Sequence, residues 1–308
     1  MRYPESELVQ DYRLLDDLAE SATALLERHL EVTKSWYPFE DVPFENARAF
    51  CAEDPWDPAE YPLPEGVRSA LVVNLLTEDN LPYYTKTLLA AVHEEHPLSE
   101  WSRRWTAEEW RHSAAIRDWI LATRAVDPYR LEEDRMVQMT GGVVPEAPCA
   151  AEMFAYVSFQ ELATQVAHRN TARHLDRERQ GKMVMSKVAG DEGLHHAFYR
   201  DLVAEALKIN PNYMMVSIQK QLRSFKMPGQ GIPGFAEHEI AIAMSGIFDA
   251  EQFLDAVVKP TLAAWDIDTV AGLNEEGEKA REKIHRNVAG LSRLAATHRR
   301  KIEASTEQ

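Results

Sequence analysis

The sequence predicts an all-α protein, a four-helix bundle core carrying additional helices, on three observations. Glycine is scarce, 13 of 308 residues. Apolar residues recur at three- and four-residue steps, which puts them on one face of a helix. The period-two alternation of half-buried strands is nowhere sustained.

The elements follow in chain order. Leu8, Tyr12, Leu15, Leu18, Ala22, Leu25 and Leu26 give the first amphipathic helix. Six of the 16 prolines (Pro38, Pro43, Pro55, Pro58, Pro62, Pro64) fall between residues 38 and 64, so that stretch is a long ordered loop or a crossover. Long helices are expected over 65–92, 99–126, 147–176 and 180–208, and shorter ones over 129–140, 211–224, 236–246 and 250–264. Met227-Pro-Gly-Gln-Gly-Ile-Pro-Gly234 is a loop by composition, and a charge-laced, solvent-facing helix over 275–303 ends the chain.

Composition narrows the function classes. With 34 Lys+Arg against 50 Asp+Glu, the formal charge of −16 argues against nucleic-acid binding, because phosphate is repelled without a concentrated basic face. No apolar run is long enough to span a bilayer. The acidic N-terminus is unlike a secretory signal. Cys51 and Cys149 have no metal-like spacing, which excludes a disulfide framework or a zinc finger. A cytosolic, reducing setting is expected, the protein being cytoplasmic.

Two Glu-x-x-His units carry the chemistry: Glu109-Trp-Arg-His112 and Glu192-Gly-Leu-His195. Residues three apart share a helix face, so the carboxylate and the imidazole can converge on one ion. Alone the pattern is cheap: 33 Glu and 11 His in 308 positions give about one such match by chance. Glu282-Lys-Ile-His285, in the polar last helix, is such a chance match. The other two are lifted by duplication, since Glu78 precedes Glu109 by 31 residues and Glu161 precedes Glu192 by 31. Glu, Glu-x-x-His, Glu, Glu-x-x-His on four helices is the ligand scheme of di-iron and di-manganese carboxylate bundles. All six side chains share a face with apolar neighbours, among them Trp105, Ile116, Phe154, Val157, Val188 and Tyr199. Four carboxylates so placed demand compensation, and two divalent ions neutralise them. Oxygen-rich ligation with two imidazoles and no thiolate favours iron or manganese over zinc or copper(I).

At these residues the chain resembles the soluble acyl-acyl-carrier-protein desaturases, their mycobacterial branch above all. The matching stretches are Asn74-Leu-Leu-Thr-Glu-Asp-Asn-Leu-Pro-Tyr-Tyr84, Arg104-Trp-Thr-Ala-Glu-Glu-Trp-Arg-His112, Tyr156-Val-Ser-Phe-Gln-Glu-Leu-Ala-Thr164, His168-Arg-Asn-Thr-Ala-Arg173 and Gly190-Asp-Glu-Gly-Leu-His195. Lys34-Ser-Trp-Tyr-Pro38 and Phe225-Lys-Met-Pro-Gly229 are weaker echoes. The resemblance runs from about residue 10 to about 300.

The resemblance implies one ferritin-like di-iron domain over 1–308: an N-terminal helix and proline-rich loop (1–64), a metal-binding bundle (65–208) and accessory C-terminal helices (209–308). It implies an enzyme that uses O2 and two external electrons to insert a double bond into a fatty acyl chain held by acyl carrier protein. Family ligands fall on Glu78, Glu109, His112, Glu161, Glu192 and His195, with two iron ions (manganese the alternative), Glu109 and Glu192 reaching both. Thr164 matches a threonine beside the oxygen-binding side of the metals. Trp36, Asp191 and His112 match a hydrogen-bonded chain that passes electrons inward. Thr87, Ala91, Met153 and Phe154 fall at acyl-chain-lining positions. A ferredoxin-like donor and a homodimer are implied partners.

The chain departs from the family pattern at Trp110, at Gly193-Leu194 and in a short stretch over 93–105. These changes leave other readings open: another di-iron oxidase, such as a hydroxylase or N-oxygenase, or a non-catalytic ferritin-like homologue. For single residues the bland roles stand beside the functional ones. Thr164 can back-bond to a helix carbonyl, Trp36 and the tryptophans at 101, 105 and 119 can be core, His168, two turns beyond Glu161, can approach the cluster or be a satisfied core histidine, and His29, His93, His96 and His196 can be surface or capping residues. An acidic chain also needs a local basic patch to meet an acidic carrier. Lys220, Arg223 and Lys226, or Arg173, Arg177, Arg179 and Lys182, are the candidates.

Overall fold

The computed structural model describes residues 5–306 except 91, 146 and 177. Twelve helices occur among them: α1 (Glu5–Val32), α2 (Glu65–Asp79), α3 (Leu81–Ala90), α4 (Pro97–Thr123), α5 (Pro128–Gly141), α6 (Ala150–His174), α7 (Arg179–Ile209), α8 (Pro211–Ser224), α9 (Phe235–Met244), α10 (Ala250–Gln252), α11 (Lys259–Ala264) and α12 (Glu275–Thr306). No strand occurs among the described residues; the proline-rich segment holds only two 3-10 turns, Pro38–Glu40 and Phe44–Asn46, and an isolated bridge between Cys51 and Asp54.

Two expected helices are interrupted. The helix expected over 65–92 breaks at Asn80, because Pro82 has no N–H to continue the ladder and its ring crowds the preceding turn. The Asn80 side chain fixes the break by donating to Val143 O at 2.9 Å. The helix expected over 250–264 contains a π-helical turn, Phe253–Val258, just ahead of Pro260.

The core is a ring of four long helices: α2 packs on α4, α4 on α7, α7 on α6, and α6 on α2. Around it, α1 lies against α7 and α4, α8 covers α6 and is itself covered by α12, and α9 covers α2. Asp11 of α1 caps the start of α6, accepting from the N–H groups of Ala150 at 2.8 Å and Ala151 at 3.1 Å. The apolar interior divides into two clusters. Along α4, Trp101 and Trp105 belong to one and Ile116 and Trp119 to the other; along α7, Val184 and Val188 belong to one and Phe198 and Tyr199 to the other. Between them on both helices lies a belt of buried Glu and His. The last helix is mostly exposed, with Ala280, Ile284 and Ala295 buried. Its Glu282-x-x-His285 match is superficial, His285 pairing with the exposed Asp268.

Candidate metal centre

The belt converges. Ligand atoms of Glu78, Glu109, His112 and Glu192 lie within 4.8 Å of one another, and so do those of Glu109, Glu161, Glu192 and His195. Both groups are buried and share Glu109 and Glu192, the arrangement of two ion positions joined by two carboxylates. Helix geometry accounts for it. On α4 and α7 the carboxylate and imidazole stand three residues apart on one face, and α2 and α6 bring one Glu each to opposite ends. Glu78 is placed by the Asn80 break, being the second-last residue of α2.

Both imidazoles turn Nδ1 inward. His112 Nδ1 is 3.4 Å from Glu109 Oε2 and 3.4 Å from Glu192 Oε1; His195 Nδ1 is 2.8 Å from Glu109 Oε1. Their Nε2 atoms are held from behind, His112 by Asp191 Oδ2 at 3.2 Å and His195 by Glu108 Oε2 at 2.9 Å. Asp191 Oδ2 also accepts from Trp36 Nε1 at 2.9 Å and Arg111 at 2.5 Å. Trp36 is buried, lies nearly parallel to His112 at 6.5 Å and carries the Arg111 guanidinium 4.6 Å above its ring. The three residues expected to form a chain are therefore joined by hydrogen bonds. The Thr164 hydroxyl lies within bonding distance of the carbonyls of Gln160 and Glu161, at 3.2 and 3.0 Å, and of Glu192 Oε2 at 3.1 Å.

The electrostatics are those of carboxylates and imidazoles crowded together out of water. Burial raises Glu78 and Glu161 well above the usual carboxylate range, and the charges of Glu109 and Glu192 push the same way. For His112 and His195 burial opposes protonation, yet the carboxylates around them raise both well above the ordinary imidazole value. Glu109 Oε1, Glu161 Oε2, Glu192 Oε1, His112 Nδ1 and His195 Nδ1 are buried and make no hydrogen bond of good geometry. Such orphaned, mutually facing donor atoms are costly in a protein interior and suit divalent ions.

Several residues at the centre were not singled out by sequence. Glu108 is buried, and burial is more than offset by its bonds to His195 and His29, which hold its carboxyl far below the usual range. Its signal was visible, since an acid precedes the ligand Glu in both halves: Glu108-Glu109 and Asp191-Glu192. His29, expected at the surface, is buried and bonds Glu108 at 3.0 Å. His196, also expected there, is buried and bonds the carbonyl of Ser158 at 2.8 Å. Both corrections have one cause: α1 and α6 cover those faces of α7. His168 is not a satisfied core histidine, because both ring nitrogens lack hydrogen bonds and Nε2 lies 3.6 Å from Glu78 and 3.5 Å from Glu192. His96 does cap α4, accepting from Leu98 N. Trp101, Trp105 and Trp119 are buried, and Trp105 also donates to Glu161 at 3.0 Å. Trp110 stands exposed on the outer face of α4.

An apolar cleft of about 70 Å3 opens beside the cluster. Glu78, Glu109 and Trp105 line it, with Leu81, Tyr84, Thr87 and Leu88 from α3 and Met153, Tyr156, Val157 and Gln160 from α6. An outer pocket shares Thr87, Val144, Ala147 and Met153 with it and adds Tyr12, Lys86 and Cys149. Of the expected lining residues, Thr87 and Met153 border both cavities, and Ala91 lies outside the described residues. Phe154 borders neither; one residue on from Met153, it is turned about 100° around α6 to pack against Tyr199. Of the basic candidates, Lys220 pairs with Glu152, Arg173 with Asn170 and Lys182 with Asp176, and Arg177 lies outside the described residues.

Known proteins are similar to this chain in sequence and fold. The family model for fatty acid desaturases matches residues 10–308. Acyl-[acyl-carrier-protein] desaturase DesA1 of Mycobacterium tuberculosis is 36% identical over 284 residues, 89% of this chain and 84% of that protein. Stearoyl-[acyl-carrier-protein] 9-desaturase of Solanum commersonii is 29% identical over 241 residues, 72% of this chain and 61% of that protein. Among solved structures, acyl-ACP desaturase DesA2 of M. tuberculosis superposes with a TM-score of 0.71 at 25% identity, covering 87% of this chain and 99% of that one. With a duplicated Glu/His cluster inside a ferritin-like bundle and a match along nearly its whole length, this chain belongs to the fatty acid desaturase family.

Proposed function

We propose that the protein is an acyl-[acyl-carrier-protein] desaturase working at a two-iron centre. Glu78, Glu109, His112 and Glu192 would hold one ion and Glu109, Glu161, Glu192 and His195 the other. The observation that carries the reading is the shared wall: Glu78 and Glu109 belong at once to the donor cluster and to the apolar cleft. A methylene pair lying in that cleft is next to the metals without having to coordinate them.

When bound and reduced, the iron pair supplies O2 chemistry able to break unactivated C–H bonds. The net change removes two hydrogens from a –CH2–CH2– unit and, with two electrons, two protons and O2, yields –CH=CH– and two waters. The chain's own residues do the rest. Leu81, Leu88, Met153 and Val157 exclude water and hold the acyl chain along α3 and α6. Asp191 and Glu108 orient the two imidazoles. Thr164 can present its hydroxyl proton at Glu192. Trp36, linked through Asp191 to His112, is the entry for electrons from a ferredoxin-like donor. The exposed Arg223 and Lys226 lead into the loop whose Pro228 lines the cleft, which favours that basic patch for an acidic carrier protein. A homodimer acting in the cytoplasm belongs to the same reading.

The test is to load the protein with ferrous ion, reduce it, incubate it with a series of acyl-carrier-protein thioesters and analyse the fatty products by mass. Loss of two hydrogens at one position is expected. Gain of an oxygen atom would make the protein a hydroxylase, and unchanged substrate across the series would defeat the proposal.

A further inference from the structure

The two halves of the centre are alike in sequence but not in what stands behind them. In each, the acid before the ligand Glu reaches across to the histidine of the other helix: Asp191 of α7 accepts from His112 of α4, and Glu108 of α4 accepts from His195 of α7. Beyond these acids the halves diverge. Asp191 is held by Trp36 and Arg111. Glu108 is held by Arg104 on Oε1, at 2.7 Å, and by His29 on Oε2, at 3.0 Å. One carboxylate oxygen thus serves two imidazoles, His195 and His29.

His29 comes from α1, outside the four-helix ring, and is 4% exposed. Its ring meets Trp101 edge-on at 4.9 Å and stacks on His195 at 6.0 Å. Its Nδ1 has no hydrogen-bond partner, so Glu108 is the polar group that its ring engages. A side chain that only filled this space would do so better as a hydrocarbon, since a buried polar ring with one nitrogen unserved is costly. A carboxylate can only accept, so both Nε2 atoms carry the hydrogens. The other nitrogen of His195, Nδ1, faces Glu109 and Glu161 and becomes a ligand atom when an ion displaces its proton.

We propose that His29 is a positioning residue of the metal centre. By fixing Glu108, it fixes the ring plane and tautomer of His195, and so sets the affinity of the ion position formed by Glu109, Glu161, Glu192 and His195 while leaving the His112 position alone. Without His29 the Glu108 carboxylate, whose last torsion is soft, turns toward Arg104 and His195 loses its anchor. This inference rests on the two-ion reading above.

The experiment titrates metal-free protein anaerobically with ferrous ion, and separately with Co2+, whose visible absorption reports ligand geometry. Wild type is compared with His29→Leu, which keeps bulk and loses the donor, and with His29→Gln, whose amide N–H can replace Nε2–H. Wild type is expected to bind two ions. His29→Leu should weaken one of the two steps about 10–100-fold and change the Co2+ spectrum of that step alone. His29→Gln should stay within about threefold of wild type. Identical isotherms for wild type and His29→Leu, equal weakening by Leu and Gln, or equal weakening of both steps would overturn the proposal. Melting of each metal-free variant shows whether it folds. If His29→Leu does not, Glu108→Gln takes its place, with one weakened step expected and a wild-type isotherm refuting. A wild type that binds no pair of ions would overturn the two-ion reading and this inference with it.

Discussion

Thr164 of α6 and Glu192 of α7 meet at 3.1 Å, and the hydroxyl that joins them also lies within 3.2 Å of two carbonyls of its own helix. A threonine has one hydrogen to give. It can therefore rest on the helix and turn to Glu192 by rotation about its side-chain torsion, without moving the backbone. Thr164→Val keeps the shape and removes that hydrogen. Metal content should stay at two ions, the melting temperature should change by the equivalent of about 1 kcal/mol or less, and O2-dependent turnover should fall. Iron loss matching the loss of turnover would make Thr164 a structural residue instead.

Removing a carboxylate shared by the two proposed ion positions should cost both stability and metal binding. Glu109→Ala or Glu192→Ala takes away a buried partner of His112, and Glu109→Ala one of His195 as well. The metal-free variant is expected to melt below wild type, and iron should lose its stabilising effect. Retention of two irons per chain in either variant, measured by elemental analysis, would contradict the ligand assignment.

The metal-free protein should lose stability as pH rises. Glu78 and Glu161 sit well above the usual carboxylate value of 4.5, and His112 and His195 well above the imidazole value of 6.5. Each binds its proton more tightly folded than unfolded, so its stabilising contribution is full below the unfolded pKa and disappears as pH passes through the folded one. Between about pH 6 and 9 the slope is at most about 1.4 kcal/mol per pH unit for each group. Divalent ions replace those protons, so loading with iron should flatten the slope and release protons on binding. Melting curves of apo and loaded protein across that range test both statements; an apo protein that grows more stable over the range would refute them.

Filling the cleft should change substrate choice without touching the metals. Met153 borders both the inner cleft and the outer pocket. Met153→Trp is expected to lower kcat/KM for long acyl chains at least about tenfold, roughly 1.4 kcal/mol, with iron content unchanged. Equal turnover of long and short chains in the variant would place the acyl chain elsewhere.

Gly193 marks a departure from the family pattern that the packing explains. A Cβ there would stand 2.0 Å from the Gln165 amide nitrogen, so α6 occupies the space that a side chain on α7 would need. In a Gln165→Ala background, Gly193→Ala should stabilise the protein by up to about 1 kcal/mol, the ordinary helix preference for Ala over Gly. In wild type that gain should be reduced, because Gln165 must swing aside. A double-mutant cycle in urea measures the coupling, and perfect additivity would remove Gln165 as the cause.

By itself the sequence determined the class of fold and the six side chains that converge. Both are written in short-range spacing: apolar residues at helical steps, and Glu and His three apart on one face, used twice with the same interval. The break at Asn80 is written there too, in Pro82. Only the tertiary structure decided that His29 and His168 turn toward the cluster, that Glu108 serves His195, and that Met153 lines the cleft while Phe154 does not. The reason is reach: His29 and Glu108 are 79 positions apart, and Glu108 and His195 are 87. No local periodicity records a contact between helices that far apart in the chain; it comes into being only when α1, α4 and α7 pack, and the pitch at which they pack sets which face each side chain meets.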